Sequence, residues 1–235
     1  TVEPQEVAQQ NGTEILRLLI AAAEYGDDLR LGKTIIDQSA EMYRKLRNTL
    51  RYLLGALKDF GDEERFPFSL AEKRLGDEGR SNAQAPDRPR APHPPTPSPQ
   101  GGGGDWPLLE RWLLHRLYEL DRTVRGAYDT YQFRAALSAI VEFCNVDLSA
   151  FYVDVRKDAL YCDPPMSLRR RACRTALEAT FSRLTAWLAP VLPFTAEEAW
   201  LTRHPDSVSV HLRAFPETPA RWEDFKKDVD WFYKS

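Results

Sequence analysis

A chain of 235 residues with 43% apolar side chains can bury the core of one or two domains. Its charges nearly cancel, 32 Lys and Arg against 35 Asp and Glu for a net −3; this excludes bulk attraction to nucleic acid, so any RNA binding must come from a local basic patch. No apolar run approaches the roughly 20 residues of a membrane helix, no leader opens the chain, and three cysteines without a Cys-x-x-Cys pair fit free thiols in a reducing cytoplasm.

The first predicted helix covers 13–24, with Ile15, Leu16, Leu19, Ile20 and Ala23 inward and Gly12 and Gly26 at its ends. A second, at about 34–59, carries Ile36, Ala40, Tyr43, Leu50, Leu54 and Leu57 on one face. Arg47 falls on that apolar stripe. A guanidinium cannot be deprotonated and is costly to bury alone. Either a carboxylate inside the fold meets it, or the stripe opens there onto an anionic ligand. Arg44, Asn48 and Arg51 share a face by their spacing of four and three, and Lys45 reads as solvated.

Residues 61–104 break the helical pattern. Seven of the 17 prolines lie in 86–99, and four glycines follow. Such a stretch cannot pack a core and predicts a disordered linker. Asp105 is the expected N-cap of a helix over 106–128 with the stripe Trp106, Leu109, Leu113, Leu117, Leu120 and Val124. The next helix starts near Tyr131 and runs on to Ala159, where Pro164 and Pro165 stop it. Asp147, Asp154 and Asp158 fall near one of its faces; ion pairs with neighbouring arginines are expected there rather than a metal site.

The helix over 167–189 opens on Arg169, Arg170, Arg171 and Arg174. Cations there oppose the helix dipole by about 0.3–1 kcal/mol each, so an anion is called for. Asp163 or a bundle carboxylate serves the structural reading, an RNA backbone the functional one. Thr195 and Glu198 suggest a capping box for a short helix at 196–203, the alternation of 207–212 a short strand, and 221–234 a last helix. The aromatic stripes (Trp106, Trp112, Tyr128, Phe181, Trp187) read as core. No paired-carboxylate, Ser–His or phosphate-loop arrangement offers catalysis. The fold class is therefore all-α, an antiparallel helical bundle with a long linker.

The run Tyr43-Arg44-Lys45-Leu46-Arg47-Asn48-Thr49 resembles the start of the anticodon-binding helical domain of the isoleucyl-tRNA synthetase family, class I enzymes. Blocks at 1–32, 108–172 and 189–201 match the same family in order. The resemblance implies a link from the catalytic domain at 1–33 (a stem-contact region), an anticodon-binding bundle at 34–204 interrupted at about 61–104, and a C-terminal junction at 205–235. It further implies tRNA and the rest of a synthetase as partners, a monomer in the cytoplasm, and neither DNA nor membrane. The tRNA-binding candidates are Arg44, Arg47, Asn48, Arg51, Arg170, Arg171 and Arg174. The family's His-Ile-Gly-His and Lys-Met-Ser-Lys-Ser motifs are absent, so no catalytic residue and no cofactor is assigned to this chain. ATP with Mg would serve the parent's catalytic domain, and the chain, which starts at Thr1, would begin just after the active site as an inactive piece of a longer enzyme. A valyl- or leucyl-tRNA synthetase, or a stand-alone synthetase-derived interaction module, remain the alternatives.

Overall fold

The computed structural model describes residues 3–23, 32–66 and 106–232. Two short helices, α1 (Pro4–Asn11) and α2 (Thr13–Ala22), precede four long ones: α3 (Lys33–Ala56), α4 (Leu108–Asp129), α5 (Phe133–Tyr161) and α6 (Leu168–Leu188). Consecutive long helices run antiparallel. At one end of the bundle the Tyr128 hydroxyl of α4 donates to the Trp187 carbonyl of α6 at 2.7 Å; at the other, Arg174 of α6 donates to the Ala56 carbonyl of α3 at 3.1 Å. Next, α7 (Pro193–Arg203) packs against α3 and α6, while α8 (Arg221–Asp224) and α9 (Lys226–Phe232) lie on α4.

One apolar core joins these elements. Leu46, Leu50 and Leu53 of α3, with Leu57 just past its end, meet Leu113 and Leu117 of α4, Leu137 and Leu148 of α5, and Phe181 and Trp187 of α6. Trp106, Trp112, Phe181 and Trp187 are buried and Tyr128 packs against them, so the aromatic stripes are core, as expected. The buried row of α3 differs from the predicted one. Leu46 and Leu53 are interior, whereas Tyr43 and Leu54 are only partly buried. Neighbours on several sides of α3 widen its buried arc and turn it away from Arg47, which ends at the edge of the stripe.

The middle of α5, Phe143–Val153, is wound as π-helix. Its buried residues come in pairs, Phe143 with Cys144, Asp147 with Leu148, and Tyr152 with Val153. Their intervals of four and five exceed the α-helical period, and the wider turn holds every pair inward. Against the sequence expectation, the helix Phe133–Tyr161 contains an 18-residue window of mean hydropathy 1.4, which meets the length and composition of a membrane span. Half of that window is buried within the bundle, and Asp147 in it pairs with Arg116 at 3.0 Å. A core helix passes the same test.

Further differences have local causes. Residues 61–66, expected to belong to the linker, are held: Phe66 is buried and its N–H donates to Thr175 Oγ1 at 2.8 Å. The rest of the predicted linker, like Asp105, lies outside the described residues, and α4 starts at Leu108 behind Pro107. Residues 207–212 form no strand; Val210–Leu212 is a 3-10 turn whose Val210 N–H donates to Glu197 at 2.8 Å. A lone alternating segment with no sheet edge beside it finds side-chain acceptors instead.

Burial pushes the thiols of Cys144 and Cys173 up to about 12, and the Tyr128 hydroxyl also to about 12. These groups are neutral in the fold at pH values where the unfolded chain has ionised. Their contribution to stability is complete below about pH 9, the ordinary thiol value, and is lost as the pH rises towards 12. Urea midpoints should therefore hold between pH 7 and about 8.5 and fall steadily above that; a midpoint still level at about pH 11 would contradict it.

Candidate nucleic-acid interface

The outer face of α3 is the main exposed cationic surface on which the sequence candidates meet. Arg44, Lys45, Asn48 and Arg51 are all exposed. Arg44 pairs with Glu41 at 2.9 Å on the same helix, an exposed i,i+3 pair that solvent screens. Arg51 has no ion-pair partner among the described residues. Helical spacing stacks Arg44, Asn48 and Arg51 in one row, two guanidinium forks with an amide between them.

Arg47 borders this row on the side of α7. Its Nη2 lies 3.1 Å from Glu198, and its Nη1 donates to the Tyr43 hydroxyl at 3.3 Å and to Thr195 Oγ1 at 3.5 Å. The Tyr43 hydroxyl foremost, and Glu198 after it, favour its charged form against the opposing effect of burial. The structural reading of Arg47 thus holds in part. It has a carboxylate partner, but its side chain is 40% exposed and that of Glu198 63%, so the pair sits at the rim and not inside.

The expected capping box is replaced by a longer-range device. Thr195 is the third residue of α7, and Glu14 of α2 caps that helix instead. Its nearly buried carboxylate accepts the N–H groups of Phe194 at 2.8 Å and Thr195 at 2.9 Å, together with the Thr195 hydroxyl. A carboxylate complements the positive end of the helix dipole. One turn along α2, Arg17 donates to the carbonyls of Pro190 at 2.8 Å and Val191 at 3.1 Å. Sequence reasoning passed over Glu14 because an acid in a first helical turn looks like ordinary capping of its own helix. Between α2, α3 and α7 these groups leave an open cleft of about 320 Å³, walled by Gly12, Thr13, Tyr43, Arg47 and Phe194.

The second arginine cluster is not brought to this surface. Arg169 makes a two-pronged pair with Asp163 at 2.6 and 2.8 Å, and hydrogen bonding from Arg169 holds that carboxyl below its usual range. Arg170 donates to the Asp163 carbonyl at 2.9 Å, and Arg171 to the carbonyls of Glu64 at 3.1 Å and Arg65 at 3.0 Å. Arg174 is 3% exposed; it pairs with Glu64, donates to the carbonyls of Ala56 and Lys58, and lies over the Phe60 ring. Arg171 and Arg174 tie the end of α3 and the 61–66 segment to the start of α6, while Arg169 and Arg170 hold the turn that precedes it. Arg174 uses three of its five N–H donors on these acceptors, and its burial keeps it from a phosphate.

Comparison with known proteins places this geometry. The family model described as the anticodon-binding domain of tRNA ligase matches residues 110–234. The isoleucine–tRNA ligase of Brucella abortus biovar 1 (strain 9-941) is 47% identical over 224 residues, which is 95% of this chain and 19% of that protein. Those of Agrobacterium fabrum and Caulobacter vibrioides are each 44% identical over 98% of this chain and 20% of their own length. The chain thus spans about a fifth of the relatives it matches. Among solved structures, the ternary complex of Agrobacterium radiobacter K84 agnB2 LeuRS with tRNA and LeuAMS aligns over 94% of this chain and 21% of that one, with a TM-score of 0.60 at 15% identity, a likeness of fold.

Proposed function

Because the chain belongs to the anticodon-binding domain family of tRNA ligases, we propose that it is the tRNA-binding portion of an isoleucine–tRNA ligase, which attaches isoleucine to its tRNA with ATP. Relatives bearing that name at 44–47% identity support isoleucine over valine or leucine. The parent enzyme works in the cytoplasm as a monomer, and ATP with Mg belongs to its catalytic domain. The row of Arg44, Asn48 and Arg51 carries the reading: charged forks exposed on a rigid helix, suited to phosphate and base-plane contacts with single-stranded loops. The 235-residue chain alone should give no isoleucine-dependent pyrophosphate exchange.

The test is Arg44→Ala and Arg51→Ala in the full ligase. Neither side chain holds the core, so the melting temperature should stay put. The aminoacylation KM for tRNA should rise, and the salt dependence of tRNA binding should flatten by about one unit of slope for each phosphate contact removed. Pyrophosphate exchange, which needs no tRNA, should not change. An unaltered KM and slope in both variants would return α3 to a purely structural role.

A further inference from the structure

Phe194 stands at the wall of the cleft between α2, α3 and α7 with its side chain 68% exposed. A single exposed apolar residue is ordinary; its setting is not. Pro193 fixes the backbone before it, and its own N–H is held by Glu14 at 2.8 Å, so the ring is presented from a rigid turn. Across the cleft is Arg47, at the border of the basic row of α3. Its bonds to Tyr43 and Thr195 are long, 3.3 and 3.5 Å, and its carboxylate partner Glu198 is a solvent-screened one. An anion arriving there would displace little. At about 320 Å³ the cleft falls at the small end of ligand sites and admits one planar group.

We propose that this cleft receives one unstacked base of the bound tRNA, with Phe194 as its stacking face and Arg47 as the cation for the adjoining phosphate. The assignment rests on the reading of α3 as an RNA-binding face and extends it around the helix to α7. Every base offers a π-face, and aromatic platforms beside arginines are the usual recognition of splayed nucleotides. The role of Arg47 follows from the same geometry: at the rim of the apolar stripe, one guanidinium can join the core network on one side and a phosphate on the other.

The experiment measures tRNA binding to the full ligase at two salt concentrations for Phe194→Ala, Phe194→Leu and Phe194→Tyr. Ala and Leu should each weaken binding about tenfold, the loss of one stacked base, with the salt slope unchanged because no charge is removed. Tyr, which keeps the ring, should bind as the parent does. An unchanged helical circular-dichroism melt identifies each variant as folded, and unchanged pyrophosphate exchange shows the catalytic domain intact. Full affinity in Ala and Leu overturns the proposal, and so does an equal loss in Tyr, which marks packing in place of stacking. If Ala and Leu bind normally while Arg44→Ala and Arg51→Ala bind weakly, the cleft assignment falls and the α3 reading stands; if all bind normally, both fall.

Discussion

Arg156→Ala should destabilise the bundle by about 3–5 kcal/mol, the usual loss when one partner of a buried ion pair is removed. Glu110 of α4 is 0% exposed and receives Arg156 of α5 in a two-pronged arrangement at 2.6 and 2.7 Å, with the Tyr152 hydroxyl adding a third bond at 3.0 Å. Without the guanidinium, a carboxylate lies in the core with one neutral donor. The chain then either carries an unpaired buried charge or protonates it, and both are expensive. Urea unfolding at pH 7 measures the loss. Replacing both residues together, as Glu110→Met with Arg156→Leu, should recover most of it, because removing the whole pair removes the desolvation cost as well. A single-variant loss under about 1 kcal/mol would mean that water reaches the pair in solution.

Arg174→Ala should show an effect of the same size, about 3–5 kcal/mol, for a different reason. This side chain gathers three acceptors, the carbonyls of Ala56 and Lys58 and the Glu64 carboxylate, at the point where α3 ends. Its loss strands carbonyls at and just past the end of a helix and an acid that is only 16% exposed. Arg174→Lys should not rescue it, since one ammonium on a flexible stem cannot reproduce a planar fork serving three sites. The same variant separates the two roles considered for the cluster. A stable protein with a flatter salt slope for tRNA would make Arg174 an RNA contact. A destabilised protein with the parent's slope is expected.

The helices were legible in the sequence because each one repeats its apolar residues at the helical period. The starts and ends of α2, α3 and α6 agree with expectation to within a few residues, and the aromatic residues on the apolar stripes went to the core with those stripes. The exposed row of Arg44, Asn48 and Arg51 was legible too, since spacing on a helix is local geometry. What spacing cannot supply is the neighbour across a gap. Leu46 and Leu53 or Tyr43 and Leu54 are adjacent rows of one helix, and only the helices packed around α3 decide which is inside. Arginines that look alike in sequence diverge for the same reason. Arg51 meets solvent, Arg47 meets Glu198 at a rim, and Arg174 meets the carbonyl ends of α3, 118 residues away from it at Ala56. Glu14 reaching over to cap α7, and Phe194 left bare beside Arg47, likewise exist only once three helices have been brought together. A residue's chemistry is written in its type, but its partner is set by packing between segments far apart in the chain, where burial and desolvation determine which charges must be paired and which stay available for a ligand.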